Sequence, residues 1–147
     1  MSEQHGHTLA EILIIIALIS VISITAIPKT VAFFNVQQLD KETACFVSEL
    51  RYLQELSRTI CRQHSDFLAV PAEPAPELVF FTGGYLIKKN NKAIHIHNYP
   101  DGMTSRHNRN SIMFSPDGDA EPMTVTFRLG SQYKDIIIDS VGRIRVQ

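Results

Sequence analysis

The chain has 147 residues, enough for one domain of ordinary size, and a formal net charge of −1. With 14 basic against 15 acidic side chains, the whole molecule is no electrostatic trap for nucleic acid or a membrane surface. Two cysteines, Cys45 and Cys61, exclude a disulfide framework.

The average composition hides an uneven distribution. Residues 12–27 carry no charge, and only Ser20, Ser23 and Thr25 among them are polar. Extending back to Leu9 adds one acid, Glu11. A bilayer core about 30 Å thick needs about 20 apolar residues as a helix, so this run is just long enough. A cleaved secretory signal is the competing reading. It would start with basic residues and end at a small-x-small site. Residues 1–6 contain no Lys or Arg, and Pro28, Lys29 and Thr30 follow the run.

Ile and Val are frequent in the run and are poor helix formers in water. Lipid favours the helix anyway, because it satisfies its own backbone groups. Pro28 removes a backbone donor and is expected to kink or loosen the helix without ending it. Helical periodicity resumes after it: Val36, Leu39, Thr43, Phe46, Leu50, Leu53, Ser57 and Ile60 recur at spacings of three and four. That spacing is one face of an amphipathic helix. Asp40, Lys41, Glu42, Glu49, Arg51, Glu55, Arg58 and Arg62 are expected on its remaining surface, and the helix is expected to stop near His64 or Ser65. Cys45 and Cys61 would then lie roughly 24 Å apart and on nearly opposite faces, which excludes an intrachain bridge if the helix is continuous.

Beyond Asp66 the signals become β. Residues 67–70 are a short apolar run, and Pro71, Pro74 and Pro76 make a stiff connector. Residues 78–81 are apolar, with a turn expected at Gly83-Gly84. Residues 85–88 and 93–97 flank Asn90-Asn91, a hairpin signal. Asp101-Gly102 and residues 105–110 read as loop. Residues 111–114 read as a strand closed by Pro116-Asp117-Gly118. Three further strands are expected over 123–129, 133–139 and 143–146, separated by Gly130-Ser131 and Val141-Gly142. The fold class is α+β: a long helix followed by seven or eight short strands in an antiparallel sheet or small sandwich.

The segment Gly6-His7-Thr8-Leu9-Ala10-Glu11, followed directly by the apolar run, resembles the type IV prepilin signal. The resemblance implies a pilin-like fold and cleavage after Gly6 by a membrane prepilin peptidase, which also methylates the new amino terminus on His7. Residues 1–6 are then a leader, 7–28 a transmembrane and assembly helix, 29–65 its amphipathic continuation, and 66–147 an extracytoplasmic β domain. Glu11 becomes the fifth mature residue, where the family has its assembly glutamate, and Pro28 matches a proline that many pilins carry. The chain departs from the family in having His7 where Phe is usual and Glu3 in a leader that is usually basic.

Glu11 also stands on its own chemistry. An acid in a membrane helix costs about 2.5–3.5 kcal/mol on insertion scales. Either it sits near the interface and snorkels, or it pairs with a cation. Cleavage after Gly6 would create such a cation, the His7 amine.

The C-terminal half resembles the GspH/FimT group of minor pseudopilins and the Gram-positive competence minor pilin ComGD. The matching residues are Leu50-Arg51, then Ser115-Pro116-Asp117-Gly118, then Ile136-Ile137-Ile138-Asp139-Ser140-Val141-Gly142-Arg143-Ile144-Arg145-Val146. The resemblance implies a non-enzymatic subunit at the tip or start of a short filament, in type II secretion, a type IV pilus or DNA uptake. It also implies a single-pass protein of the bacterial cytoplasmic membrane, amino terminus inside, whose partners are the peptidase, other pilin subunits and the membrane.

Gly142-Arg143-Ile144-Arg145 further resembles the Gly-Arg-x-Arg segment with which FimT-like pilins bind DNA. On a strand Arg143 and Arg145 would share a face and could contact successive phosphates. Lys88, Lys89, Lys92, Arg106 and Arg109 could join them. The alternative is two solvated arginines that discourage edge pairing. His95-x-His97 has the spacing of two metal ligands, but no third ligand is near in sequence, and a polar outer hairpin face is the simpler reading. Arg51, Glu55, Arg58 and Arg62 read as a solvated helix stripe. No catalytic constellation, metal or cofactor is expected.

Overall fold

The computed structural model describes residues 9–64 and 74–147, and the side chains of residues 25–28 and 60–64 fall outside that description. Gly6, His7 and the apolar run at 67–70 therefore lie outside the described residues, as do the side chains of Pro28, Cys61 and Arg62. The architecture is α+β: one helix, α1 (Leu9–His64), then eight strands among the described residues. The chain divides into two compact units, the first ending at Asn35 and the second covering Val36–Gln147.

In the first unit α1 is apolar on every side, and nearly all its described side chains are exposed. It is long and apolar enough to cross a membrane. Its two described serines return their hydroxyls to the helix: Ser20 Oγ donates to Ile16 O at 2.8 Å and Ser23 Oγ to Ile19 O at 2.8 Å. Neither hydroxyl then needs water, which suits a hydrocarbon surrounding.

In the second unit the spacing of three and four becomes a buried stripe. Leu39, Thr43, Phe46, Leu50, Leu53 and Ser57 are all buried, whereas Val36 is 37 % exposed at the stripe's start. The strands form two antiparallel four-stranded sheets. The first runs β3 (Lys92–Asn98), β2 (Gly84–Lys89), β1 (Glu77–Phe81), β5 (Ser111–Met113). The second runs β4 (Met103–His107), β6 (Met123–Leu129), β7 (Gln132–Ile138), β8 (Ile144–Val146). Alternation fixes the inner faces: Leu78, Phe80, Tyr85 and Ile87 from the first sheet, Val125, Phe127, Leu129, Ile136 and Ile138 from the second. Phe46 joins the two sets. Its ring centroid lies 5.0 Å from those of Tyr85 and Phe127, both edge-on, and 6.0 Å from that of Phe80.

The Asn90-Asn91 hairpin forms as its sequence implies. Both residues have positive φ, 51° and 61°, as the mirror-image turn that matches strand twist requires. Two expectations are corrected. Gly84 is not in the turn; it is paired within β2, opposite Phe81 and Asn98. A Cβ there would meet His97 O at 2.1 Å, so the glycine serves the close approach of β3. Residues 105–110 are not all loop either: Met103–His107 forms β4, paired with β6 from Met103↔Leu129 to His107↔Val125. This edge strand is mostly polar, so it is held by backbone pairing and shows no apolar alternation.

Candidate functional site

Glu11 lies in the first turn of α1 and is exposed. Pro28 lies within α1, which continues through it. These are the assembly and kink positions of the sequence reading, set on one uninterrupted helix.

Arg143 and Arg145 are brought together, but on an acid. Arg143 Nε donates to Asp139 Oδ2 at 3.1 Å, and Arg145 Nη2 reaches the same oxygen at 3.4 Å. The Arg143 backbone N–H donates to Asp139 Oδ1 at 2.8 Å. That backbone donor, then the two guanidinium groups, hold the Asp139 carboxyl below its ordinary range. Arg143 precedes β8 and belongs to the turn, so only Arg145 sits on the strand. Both guanidiniums remain more than half exposed.

The register of the second sheet adds partners that the sequence alone does not reveal. Residues with inward neighbours alternate with an outward set: Thr104 and Arg106 on β4, Thr124, Thr126 and Arg128 on β6, Tyr133, Asp135 and Ile137 on β7, and Arg145 on β8. Arg106, Arg128 and Arg145 are all exposed on this face. The only acid in that set, Asp135, accepts from Thr126 Oγ1 at 2.6 Å. An open groove over the same face is lined by Thr104, Arg106, Thr126, Arg128 and Tyr133. Arg128 was not a sequence candidate, and the even spacing of Thr124, Thr126 and Arg128 on an alternating strand is the signal that could have found it. Arg109 is paired with Glu121, and Lys88, Lys89 and Lys92 lie on the hairpin of the other sheet.

His95 and His97 are corrected from a polar outer face. They register with Ile87 and Tyr85, so they share the core-facing side of β3 and point at α1. His97 Nε2 lies 2.8 Å from Glu42 Oε2, and His95 Nε2 lies 3.0 Å from Glu49 Oε1. The glutamates expected on the solvated helix face are thus covered, with side chains 12 % and 14 % exposed. Cys45 lies between them in sequence, and its Sγ is 3.8 Å from Glu49 Oε1. Burial first, then the charges of Glu49 and Glu42, push the Cys45 thiol up. Cys45, Glu49 and His97 offer donor atoms that lie within 4.8 Å of one another. This is the group among the described residues that could hold a metal.

No protein-family model matches the chain, and no curated protein and no solved structure matches it either.

Proposed function

We propose that the chain is a minor pilin or pseudopilin with a pilin-like fold. It is processed by a prepilin peptidase between Gly6 and His7 and assembled into a type II secretion or type IV pilus-like filament, at its tip or as its initiator. The observation that carries this reading is the two-part character of α1. Its first part exposes apolar side chains all round, with Glu11 in the first turn. Its second part buries one stripe against the β sheets. Such a helix can stand in the cytoplasmic membrane as a single pass, amino terminus inside, and then join a bundle of like helices. Filament growth exchanges lipid around the first part for neighbouring subunits.

In that bundle Glu11 pairs with the His7 amine of a neighbouring subunit and fixes register. Breaking a buried ion pair by removing one partner costs about 3–5 kcal/mol, more than a hundredfold in association. Glu11→Ala should therefore insert and fold but fail to enter the cognate filament, as read by shearing and immunoblotting. Intact mass should begin at His7, carrying one methyl, in cells with active peptidase. A chain still beginning at Met1, or a Glu11→Ala subunit that assembles like the native one, would overturn the proposal.

The cationic outer face of the second sheet supports a second reading, a competence or pilus minor pilin that binds DNA for uptake. Three arginines there can neutralise three phosphates, for a slope of log K against log[salt] of about −2.7. Full-length chain in detergent micelles should bind duplex DNA with that slope. Arg106→Gln, Arg128→Gln and Arg145→Gln should each reduce it by about 0.9. Binding that is absent at low salt, or unchanged in the triple variant, rules this reading out.

A further inference from the structure

We propose that the protein binds one zinc-class divalent transition-metal ion between α1 and β3, through Cys45, Glu49, His97 and His95. Nothing in the filament reading requires such a site. It follows from residues that the fold brings together over long stretches of sequence.

Spacing places the donors on facing surfaces. Glu42, Cys45 and Glu49 are three and four residues apart and line one side of α1, beside the core stripe. His95 and His97 are two apart and line one face of β3. The direction of that face is the informative part. β3 turns Ile94 and Ile96 outward, 46 % and 59 % exposed, and turns its histidines inward. The inward position 97 has a side chain only 22 % exposed, so there packing alone favours an isoleucine over the histidine. A slip of one residue would make that exchange. A strand that forgoes this burial to aim two imidazoles at a thiol and two carboxylates has a use for the polar cluster.

The cluster also holds unspent polar capacity. Glu49 Oε2 and the Tyr85 hydroxyl are buried; the hydroxyl lies close to the Glu49 and Cys45 side chains, yet among the described residues neither atom makes a well-formed hydrogen bond. Tyr85 is only 1 % exposed, and its ring stacks on His97 with centroids 5.0 Å apart and planes 20° apart. Two nearly covered carboxylates beside a thiol make a site of negative potential, which a divalent cation offsets.

The donor chemistry selects the ion. One sulfur, two nitrogens and a carboxylate oxygen match the tetrahedral preference of zinc, whereas magnesium and calcium favour oxygen alone. Donors about 2.0–2.3 Å from a tetrahedral ion lie roughly 3.3–3.6 Å apart. The 4.8 Å limit on the Cys45, Glu49 and His97 donors thus closes by side-chain adjustment of about 1 Å, and His95 Nε2, 3.0 Å from Glu49 Oε1, stands beside them as the fourth donor. Glu42, bonded to His97, is the carboxylate that orients a ligating imidazole or exchanges for it. Binding releases the thiol proton of Cys45 to solvent and leaves a thiolate on the metal. The result is a staple that fastens the edge strand β3 to the helix.

The test uses metal-free full-length chain, without a histidine tag, in detergent micelles. Cobalt(II) should bind at one equivalent with a thiolate-to-cobalt charge-transfer band in the near ultraviolet, and zinc should displace it. Cys45→Ser should abolish the band, Cys61→Ser should leave it intact, and His97→Gln and Glu49→Gln should each weaken binding at least tenfold. Should Cys45→Ser lose its tyrosine near-ultraviolet dichroism and so fail to fold, His95→Gln decides the matter. That side chain is half exposed, and its loss should still weaken cobalt binding at least tenfold. No charge-transfer band in the native chain, a band that survives in folded Cys45→Ser, or affinity unchanged by both histidine variants overturns the proposal.

Discussion

Phe46→Ala is expected to destabilise the β-bearing unit by about 3–5 kcal/mol, a large share of a domain stability of about 5–15 kcal/mol. Phe46 is fully buried and meets aromatic rings from both sheets. Removing it deletes the transfer energy of the ring. It also leaves a cavity that the flanking Leu50, Leu53 and Phe127 cannot fill without abandoning their own contacts. Edge-on contacts with Tyr85 and Phe127 add about 0.5–1.5 kcal/mol each beyond area. Denaturant unfolding followed by tyrosine near-ultraviolet dichroism measures this, since Tyr85 reports on the site and the chain has no tryptophan. Phe34→Ala is the control. It changes the same residue type on the same helix, at a position 61 % exposed, and should leave the midpoint nearly unmoved. A loss under about 1 kcal/mol for Phe46→Ala would mean that the helix does not organise the two sheets.

What could be read from the sequence follows from which force sets each element. The helix stripe from Leu39 to Ser57 and the strand Met123–Leu129 are set by burial, and burial writes its period directly into the apolar residues. The Asn90-Asn91 turn is set by backbone sign, which few residue types accept. β4 was not legible, because an edge strand held by backbone bonds to β6 needs no apolar side chain. Which strands share a sheet was also hidden, since β1 pairs with β5 and β4 with β6 across intervening chain.

The functional positions divide the same way. Glu11 is conspicuous because one acid interrupts an apolar run. The cluster of Cys45, Glu49, His95 and His97 was invisible as a unit, although His95-x-His97 marked half of it. Its other half is spaced helically and lies about 50 residues earlier. No local pattern joins a helix face to a strand face; only the register of β3 on β2 does so. The inward histidines and outward isoleucines of β3 were in plain view as an alternation, but alternation does not say which set faces the core.

Gly142→Ala is expected to cost roughly 2–5 kcal/mol, and its effect bears on how the Gly-Arg-x-Arg segment should be understood. Gly142 has φ +68°, which disfavours any Cβ by about 1–2 kcal/mol. A Cβ would also lie 1.9 Å from Gly118 O and 2.8 Å from Gln54 Nε2. Backbone cannot yield as a flexible side chain does, so two turns must separate. Gln54 would then lose its bonds to Gly118 O at 2.9 Å and Gly142 O at 3.3 Å, which tie the helix to both turns. The turn that positions Arg143 on Asp139 would open, and β8 amides should exchange faster with solvent. This glycine is therefore demanded by packing whether or not DNA is bound. Its presence in the segment carries no weight for DNA binding; only the arginines do. Arg143→Gln and Arg145→Gln leave the backbone bond from the residue 143 N–H to Asp139 in place, so they should fold, with midpoints near that of the native chain. DNA affinity lost in those folded variants would assign the segment to nucleic acid. Stability lost in Gly142→Ala alone would assign it to the turn. Proteolysis of the β7–β8 region separates the two, because only Gly142→Ala should speed it.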